Sequence, residues 1–304
     1  MHKKYYETPE GNCQYVVQPY GEMEERAVVI TGYSGTDAEL VLPDQIDGLP
    51  VKALRKKVFL SRKRLRKIIL PETLEEIGDW AFAYCSALEE VRLPRREMKL
   101  GSRIFMECGK LQKIYVCPAI TENGEQDASL LAAGTALLGA EYLLNPMEAG
   151  TEVWLKKWDA RMKEIMSEPD DEGYTKMILC GEEDYGTNID DYRKNKRKAK
   201  VRLAFLRLQN PLGLSGEDGS FLRDYLVSHT KGCATEEAWE VLLLEYGHKK
   251  EYFQLFAEIG GICEDNFHEI LKDMKHADAE VKAFLVQYRE EKMERTDFFA
   301  GLEL

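Results

Sequence analysis

Apolar residues fall into two rhythms along this chain. Between roughly residues 38 and 117 they recur with a period of 23. Leu65, Ile68 and Leu70 return as Leu88, Val91 and Leu93, then as Leu111, Ile114 and Val116, so LxxIxL is written three times. The same offset links Phe59, Phe82 and Phe105; Leu54, Ile77 and Leu100; Gly78 and Gly101; Pro71 and Pro94; and Cys85 and Cys108. An earlier copy, Leu40 to Pro43, precedes Ile68 to Pro71 by 28 residues, the longer step fitting a turn at Asp47-Gly48. About three and a half units result. Each predicts a short strand that buries alternate side chains, then a turn and a return segment carrying a second apolar set. A single unit cannot cover its own apolar face, so copies must stack and the ends need caps. Gln14 to Pro19 and Arg26 to Gly32 alternate like strands around Gly21 and predict a capping hairpin.

Beyond Cys117-Pro118 the strand rhythm stops, ITENGEQDAS reads as a linker, and the spacing turns helical. Trp154, Trp158, Met162 and Ile165 lie on one stripe before EPDDEG breaks the helix. The i, i+3, i+4, i+7 stripe then repeats as Val201/Ala204/Phe205/Leu208, Trp239/Leu242/Leu243/Tyr246, Tyr252/Leu255/Phe256/Ile259, Phe267/Ile270/Leu271/Met274 and Val281/Phe284/Leu285/Tyr288. Short helices joined by tight loops follow from these steps, with a helix pair recurring every 28 to 29 residues. The aromatic stripes are read as core. The expected fold is therefore α+β: a hairpin-capped solenoid over 1–117, a linker over 118–147 and an all-α array of antiparallel helix pairs over 148–304. The length of 304 residues agrees with two domains.

The segments VVITGYSGTDAELVLPDQIDGLPVKAL and LRKIILPETLEEIGDWAFAYCSALEEVRLP resemble leucine-rich repeats of the BspA type, found in bacterial surface and interaction proteins. The likeness covers roughly residues 24 to 117, and LPxxLxxIGxxAFxxC is nearly intact in the middle copy. The third copy, RREMKLGSRIFMEC, lacks the alanine before Phe105, which suggests a distorted final turn. The resemblance implies a curved solenoid with a binding role and supplies no catalytic residues. It leans towards a cell-surface location.

Within LxxIxL the third and fifth positions point away from the core. They form one column of Glu39, Lys67, Glu90 and Lys113 and a second of Val41, Ile69, Arg92 and Tyr115. The first alternates in sign and reads as cross-strand pairing. The second sets an aromatic, an arginine and aliphatics side by side, a mixture enriched at interfaces. Val41, Ile69, Arg92 and Tyr115, with Lys67 and Lys113, are the candidate interaction face.

The net charge of −12 hides a strong asymmetry. Residues 50 to 113 hold 16 Lys/Arg against 8 Asp/Glu, so the rest of the chain is acidic. Nine basic residues lie between Lys52 and Lys67 with no acid among them, which makes Lys52, Arg55, Lys56, Lys57, Arg62, Lys63 and Arg64 a candidate anion patch. A second run, Arg193, Lys194, Lys196, Arg197, Lys198, Lys200 and Arg202, opens a helix. Neither run interleaves aromatics as base-stacking surfaces do. A solvated face, or docking onto the chain's own acids, is the simpler reading.

Chemical motifs are scarce. The seven cysteines, at 13, 85, 108, 117, 180, 233 and 263, contain no CxxC. The five histidines, His2, His229, His248, His268 and His276, form no HExxH, and His229 reads as a hydrogen-bonded residue at the core edge. GxSxG, GxGxxG and the P-loop pattern do not occur. The acidic run Glu182-Glu183-Asp184 lacks cation-loop spacing and reads as a solvated loop. No catalytic, cofactor or metal residue is assigned.

The expected function is noncatalytic protein-protein interaction or scaffolding. The alternatives are binding of an anionic polymer, nucleic acid or glycan, through residues 52–67, and an enzyme with an interdomain site. No run is long and apolar enough to span a bilayer. MHKKYYETPEG lacks the apolar core of a secretory signal, which together with the odd cysteine count favours the cytoplasm.

Overall fold

The computed structural model describes residues 4–119, 122–175, 188–274 and 278–293. The chain divides into two compact units, Met1–Lys163 and Glu164–Leu304.

The first unit begins with β1 (Lys4–Thr8), β2 (Gly11–Tyr20) and β3 (Glu25–Gly35), an antiparallel meander in which Tyr20 pairs with Glu25 around the expected turn at Gly21. β3 then pairs in parallel with β6 (Leu49–Leu54), and the sheet continues through β8 (Glu76–Ile77) to β10 (Lys99–Leu100). β5 (Gln45–Ile46) pairs with β6 across the turn at Asp47-Gly48. The hairpin therefore caps the solenoid by donating an edge to one of its sheets, and β1 adds a strand that the alternation did not mark.

The LxxIxL cores supply the second sheet: β4 (Glu39–Val41), β7 (Lys67–Ile69), β9 (Glu90–Pro94) and β11 (Lys113–Cys117), all parallel and neighbouring in chain order. Leu40, Ile68, Val91 and Ile114 face inward and are fully enclosed. On the return segments Phe59 stacks on Phe82 at 5.1 Å and Phe82 on Phe105 at 5.4 Å, with Tyr33 of the cap adjoining Phe59 at 5.2 Å. The matched cysteines form a second ladder: the Cys85 thiol donates to the Phe59 carbonyl at 3.0 Å and Cys108 to that of Phe82 at 3.1 Å. Burial pushes these thiols up, Cys85 to about 11 and Cys108 to about 12.

Each turn bends at two left-handed positions: Lys57, Trp80 and Arg103 form one column and Ser61, Tyr84 and Glu107 the other, all with φ between 54° and 61°. Glycine is needed at Gly78 and Gly101 for a different reason, because a Cβ there would meet the previous turn's backbone at 2.5 Å and 2.4 Å. The distortion expected in the third copy does not occur. Phe82 N–H still bonds Ile104 O at 3.0 Å and Tyr84 N–H bonds Met106 O at 2.7 Å. Ile104 is buried where the earlier copy has Ala81, so the larger side chain fills the space without breaking register.

The stretch 118–147, expected as a linker, instead carries α1 (Gly124–Ala136), with Ala128, Leu130, Leu131, Ala132 and Ala133 buried, and a short 3-10 turn, Glu141–Leu143. α2 (Glu152–Ser167) locks this segment down, since the Trp154 and Trp158 indoles donate to the carbonyls of Leu143 and Leu130, both at 2.9 Å. The polar opening of the segment reads as linker, yet the Leu/Ala run after it supplies a helix face, and the first compact unit extends through it to Lys163.

In the second unit the described helices are α3 (Ile189–Gln209), α4 (Gly216–Ser228), α5 (Glu237–Glu245), α6 (Lys250–Glu258), α7 (Glu264–Asp273) and α8 (Ala279–Tyr288). Asn188 and Ser215 cap α3 and α4 by accepting from Asp191 N–H and Asp218 N–H. The expected stripes supply much of the core, including Val201, Phe205, Trp239, Leu242, Phe267, Ile270, Val281 and Leu285. On α6 the buried face is Phe253, Phe256 and Ala257, while Tyr252 and Leu255 sit at its margin, Tyr252 stacking on Tyr246 at 4.0 Å.

Candidate interaction faces

Parallel pairing in register turns the sequence columns into spatial ones. Val41 pairs with Ile69, Ile69 with Arg92 and Arg92 with Tyr115; beside them Glu39 pairs with Lys67, Lys67 with Glu90 and Glu90 with Lys113. At the middle of the charged column the Lys67 ammonium meets Glu90 at 3.0 Å, and Arg92 Nε donates to the same carboxylate at 2.8 Å. Burial raises Glu90, but the bonds from Arg92 and Lys67 outweigh it and hold the carboxyl below its ordinary range.

The two ends of this face differ. At the far end α1 reaches back over the sheet: the Glu125 carboxylate accepts from the Tyr115 hydroxyl at 2.8 Å and pairs with Lys113 at 3.1 Å. The Arg92 guanidinium lies 5.3 Å from the Tyr115 ring, close enough for cation–π attraction. Lys113 and Tyr115, taken from the sequence as parts of an open face, are thus engaged by the chain itself. At the near end Val41 is 62% exposed, Ile69 is half-buried and Arg92 still reaches solvent. The open part of the face is the group Val41, Ile69, Arg92 and Lys67. The segment that closes the other end came from the stretch read as linker, so nothing in the strand pattern pointed to Glu125.

The basic segment lies on the return side, and its residues differ in what they touch. Lys52 is tied to Glu75, which also takes Arg96 at 2.9 Å. Arg62 donates to the Tyr33 carbonyl at 2.6 Å and lies over its ring. Arg55 reaches Gln18 at 3.1 Å, and Lys57 lies 5.4 Å from the Trp80 ring, with Arg103 at 5.7 Å from the same indole. Lys56, Lys63 and Arg64 are exposed. Five members of the patch, Arg55, Lys56, Lys57, Lys63 and Arg64, therefore face solvent with no carboxylate against them among the described residues.

The second basic run is built differently. All seven of its cations are matched within the second unit: Arg193 with Asp171, Lys194 and Lys198 with Glu240, Lys196 with Glu168, Arg197 with Glu237, Lys200 with Asp170, and Arg202 with Glu245. The docking onto the chain's own acids that the sequence suggested is realised throughout this run, and in the first run only at its two ends, Lys52 and Lys67. His229 Nδ1 lies 2.8 Å from the Tyr225 carbonyl, which can only accept from it, and 3.0 Å from Ser228 Oγ, as in a residue at the core edge. The acidic run Glu182-Glu183-Asp184 lies outside the described residues. Among the described residues no cluster of His, Cys, Asp or Glu could hold a metal, and no helix is long and apolar enough to cross a membrane.

No curated protein matches this chain. Two solved structures are similar to part of it. A leucine rich repeat protein of T. pallidum is 30% identical over 33% of this chain and 55% of its own, with a TM-score of 0.26. A leucine rich cell surface protein of Faecalibacterium prausnitzii A2-165 is 25% identical over 38% of this chain and 30% of its own, with a TM-score of 0.30. The chain therefore spans about half of the first and a third of the second. Residues 50–127 match the BspA type leucine rich repeat region in six copies, and this stretch of the chain is such a region, a repeat family that points to interaction with proteins or surfaces.

Proposed function

We propose that the first unit is a noncatalytic protein-interaction module that contacts its partner through the open end of the four-stranded sheet, at Val41, Ile69, Arg92 and Lys67. The observation that carries this reading is the state of the second column. An exposed valine and an isoleucine stand in register beside an arginine steadied by Glu90 and the Tyr115 ring. Apolar surface next to a pre-ordered arginine is the composition of a binding hot spot, and holding the arginine in place beforehand lowers the entropy lost on binding. The test is affinity capture with the intact chain and its Val41→Asp, Arg92→Glu double variant, both of which should unfold at the same denaturant concentration. The variant is expected to lose at least one partner held by the parent. Retention of every partner would overturn the reading.

A second reading has its own observation, the five solvent-facing cations of the first basic run. It predicts retention of the intact chain on heparin and earlier elution as salt rises, by release of counterions. Flow-through at low salt would dispose of it.

A further inference from the structure

A groove of about 1040 Å³ opens at the last turn of the solenoid, between the segment 97–106 and the segment 135–148 of the same compact unit. β10 forms one wall and is the last strand of its sheet, so among the described residues no strand pairs with its far edge. The bonds between successive turns show what that end is shaped to receive. Lys57, Phe59 and Ser61 donate their N–H groups to the carbonyls of Asp79, Ala81 and Ala83 at 2.8–2.9 Å. One turn later Trp80, Phe82 and Tyr84 donate to Ser102, Ile104 and Met106 at 2.7–3.0 Å. The equivalent donors of the last turn are Arg103, Phe105 and Glu107. Arg103 N–H is taken by a carboxylate oxygen of Glu141, which stands where a further turn would place a carbonyl. Among the described residues, no acceptor meets the N–H groups of Phe105 and Glu107.

The groove thus continues the interface that joins one turn to the next. Its rim is apolar where it meets solvent, with Tyr142 62% and Met147 46% exposed. Its charged lining is acidic, Glu97, Glu141 and Glu148 against Arg103, with Lys157 pairing with Glu148 at 2.7 Å from outside the lining. In the turns before it, such alternate donors are met by a bent segment, Asp79–Ala83 or Ser102–Met106, with a left-handed residue at Trp80 or Arg103, so an occupant must follow the same path while its carbonyls pair as in strand addition.

We propose that this groove receives a basic segment of a partner protein, which adds to the solenoid as one more turn. Its carbonyls accept from Phe105 and Glu107, its apolar side chains cover Tyr142 and Met147, and its lysines or arginines face the acidic lining. The site uses none of the residues of the sheet face, so the two readings stand or fall separately.

The probe is a synthetic peptide, VKALRKKVFLS, the sequence of residues 51–61, which already docks as a turn in this fold and carries four positive charges. Added to the isotope-labelled full chain, it is expected to shift the Phe105 and Glu107 amide resonances saturably and to slow their exchange with solvent. The Tyr142→Ser, Met147→Ser variant should bind it about tenfold more weakly, whereas Arg92→Glu should leave it unchanged. Three results would overturn the proposal. One is no saturable response at those two amides. Another is equal binding of the acidic peptide LEEIGDWAFAY, the sequence of residues 74–84. The third is protection of the same amides with rising protein concentration alone, which would make the occupant a second copy of the chain.

Discussion

Residues 52–67 and 193–202 are both dense in lysine and arginine, yet they meet opposite fates. On α3 all seven cations of the second run have a carboxylate from a neighbouring segment of their own unit, whereas on the solenoid five cations of the first run face water. The reason is geometric. A helix packed among other helices presents its charges to loops and helix faces that can carry acids. A solenoid return segment meets only the turns on either side of it; 23 residues along, the register places Trp80, Ser86 and Ala87 opposite Lys57, Lys63 and Arg64, and Asp79, opposite Lys56, accepts instead from the Ser102 N–H. A charge run therefore marks a binding surface only where the fold withholds the counter-charge.

The sharpest way to break this comparison is to remove one member of each run. Arg197 donates from both Nε and Nη2 to one carboxylate oxygen of Glu237, whose side chain is only 4% exposed. Arg197→Ala leaves that carboxylate buried without its partner and should cost about 3 kcal/mol in denaturant unfolding, by analogy with broken buried pairs. Lys63→Ala and Arg64→Ala should each change stability by less than about 0.5 kcal/mol in the same measurement. Comparable losses in the two runs would erase the distinction.

Anion affinity should sort the other way. Lys56→Glu, Lys63→Glu and Arg64→Glu together are expected to bring elution from heparin to markedly lower salt, while Lys194→Met with Lys198→Met should leave it unchanged. Acid titration gives a smaller, signed difference. Burial raises Glu240, but hydrogen bonds from Lys194 and Lys198 outweigh it and hold the carboxyl below its ordinary 4.5. A depressed carboxylate contributes stability above its unfolded value and loses it as pH falls through the folded one. Below pH 4.5 the parent should therefore lose stability that the Lys194→Met, Lys198→Met variant has already forfeited, giving the variant the flatter profile. The smallest effect concerns the end of the sheet face. Tyr115→Phe deletes the bond to Glu125 at an exposed site and should cost about 0.5 kcal/mol, visible as faster amide exchange at the start of α1.

Much of the solenoid was legible because each side chain in LxxIxL answers to one constraint, alternation about a strand, repeated until chance is excluded. The columns Glu39/Lys67/Glu90/Lys113 and Val41/Ile69/Arg92/Tyr115 came out in register for that reason. What could not be read was pairing between unlike segments. The engagement of Tyr115 by Glu125 depends on where α1 docks, and α1 has a polar opening that mimics a loop. Ile104 illustrates the converse: a departure from the repeat consensus that the sequence marks as damage is absorbed by packing. The core of α6 shifted from Tyr252 to Phe253 because two adjacent aromatics satisfy the helical stripe about equally, and tertiary neighbours choose between them.

The cysteine ladder has a practical corollary. A thiol reacts as its thiolate, and Cys13, Cys85 and Cys108 are buried with thiols pushed up to about 12, 11 and 12. At neutral pH an alkylating reagent will therefore pass over them while it labels the exposed Cys263. They become reactive only when the stacked turns separate. The repeat carries its own chemical stopwatch: the rate at which mass is added at Cys85 and Cys108 reports, without any engineered probe, how often the solenoid opens.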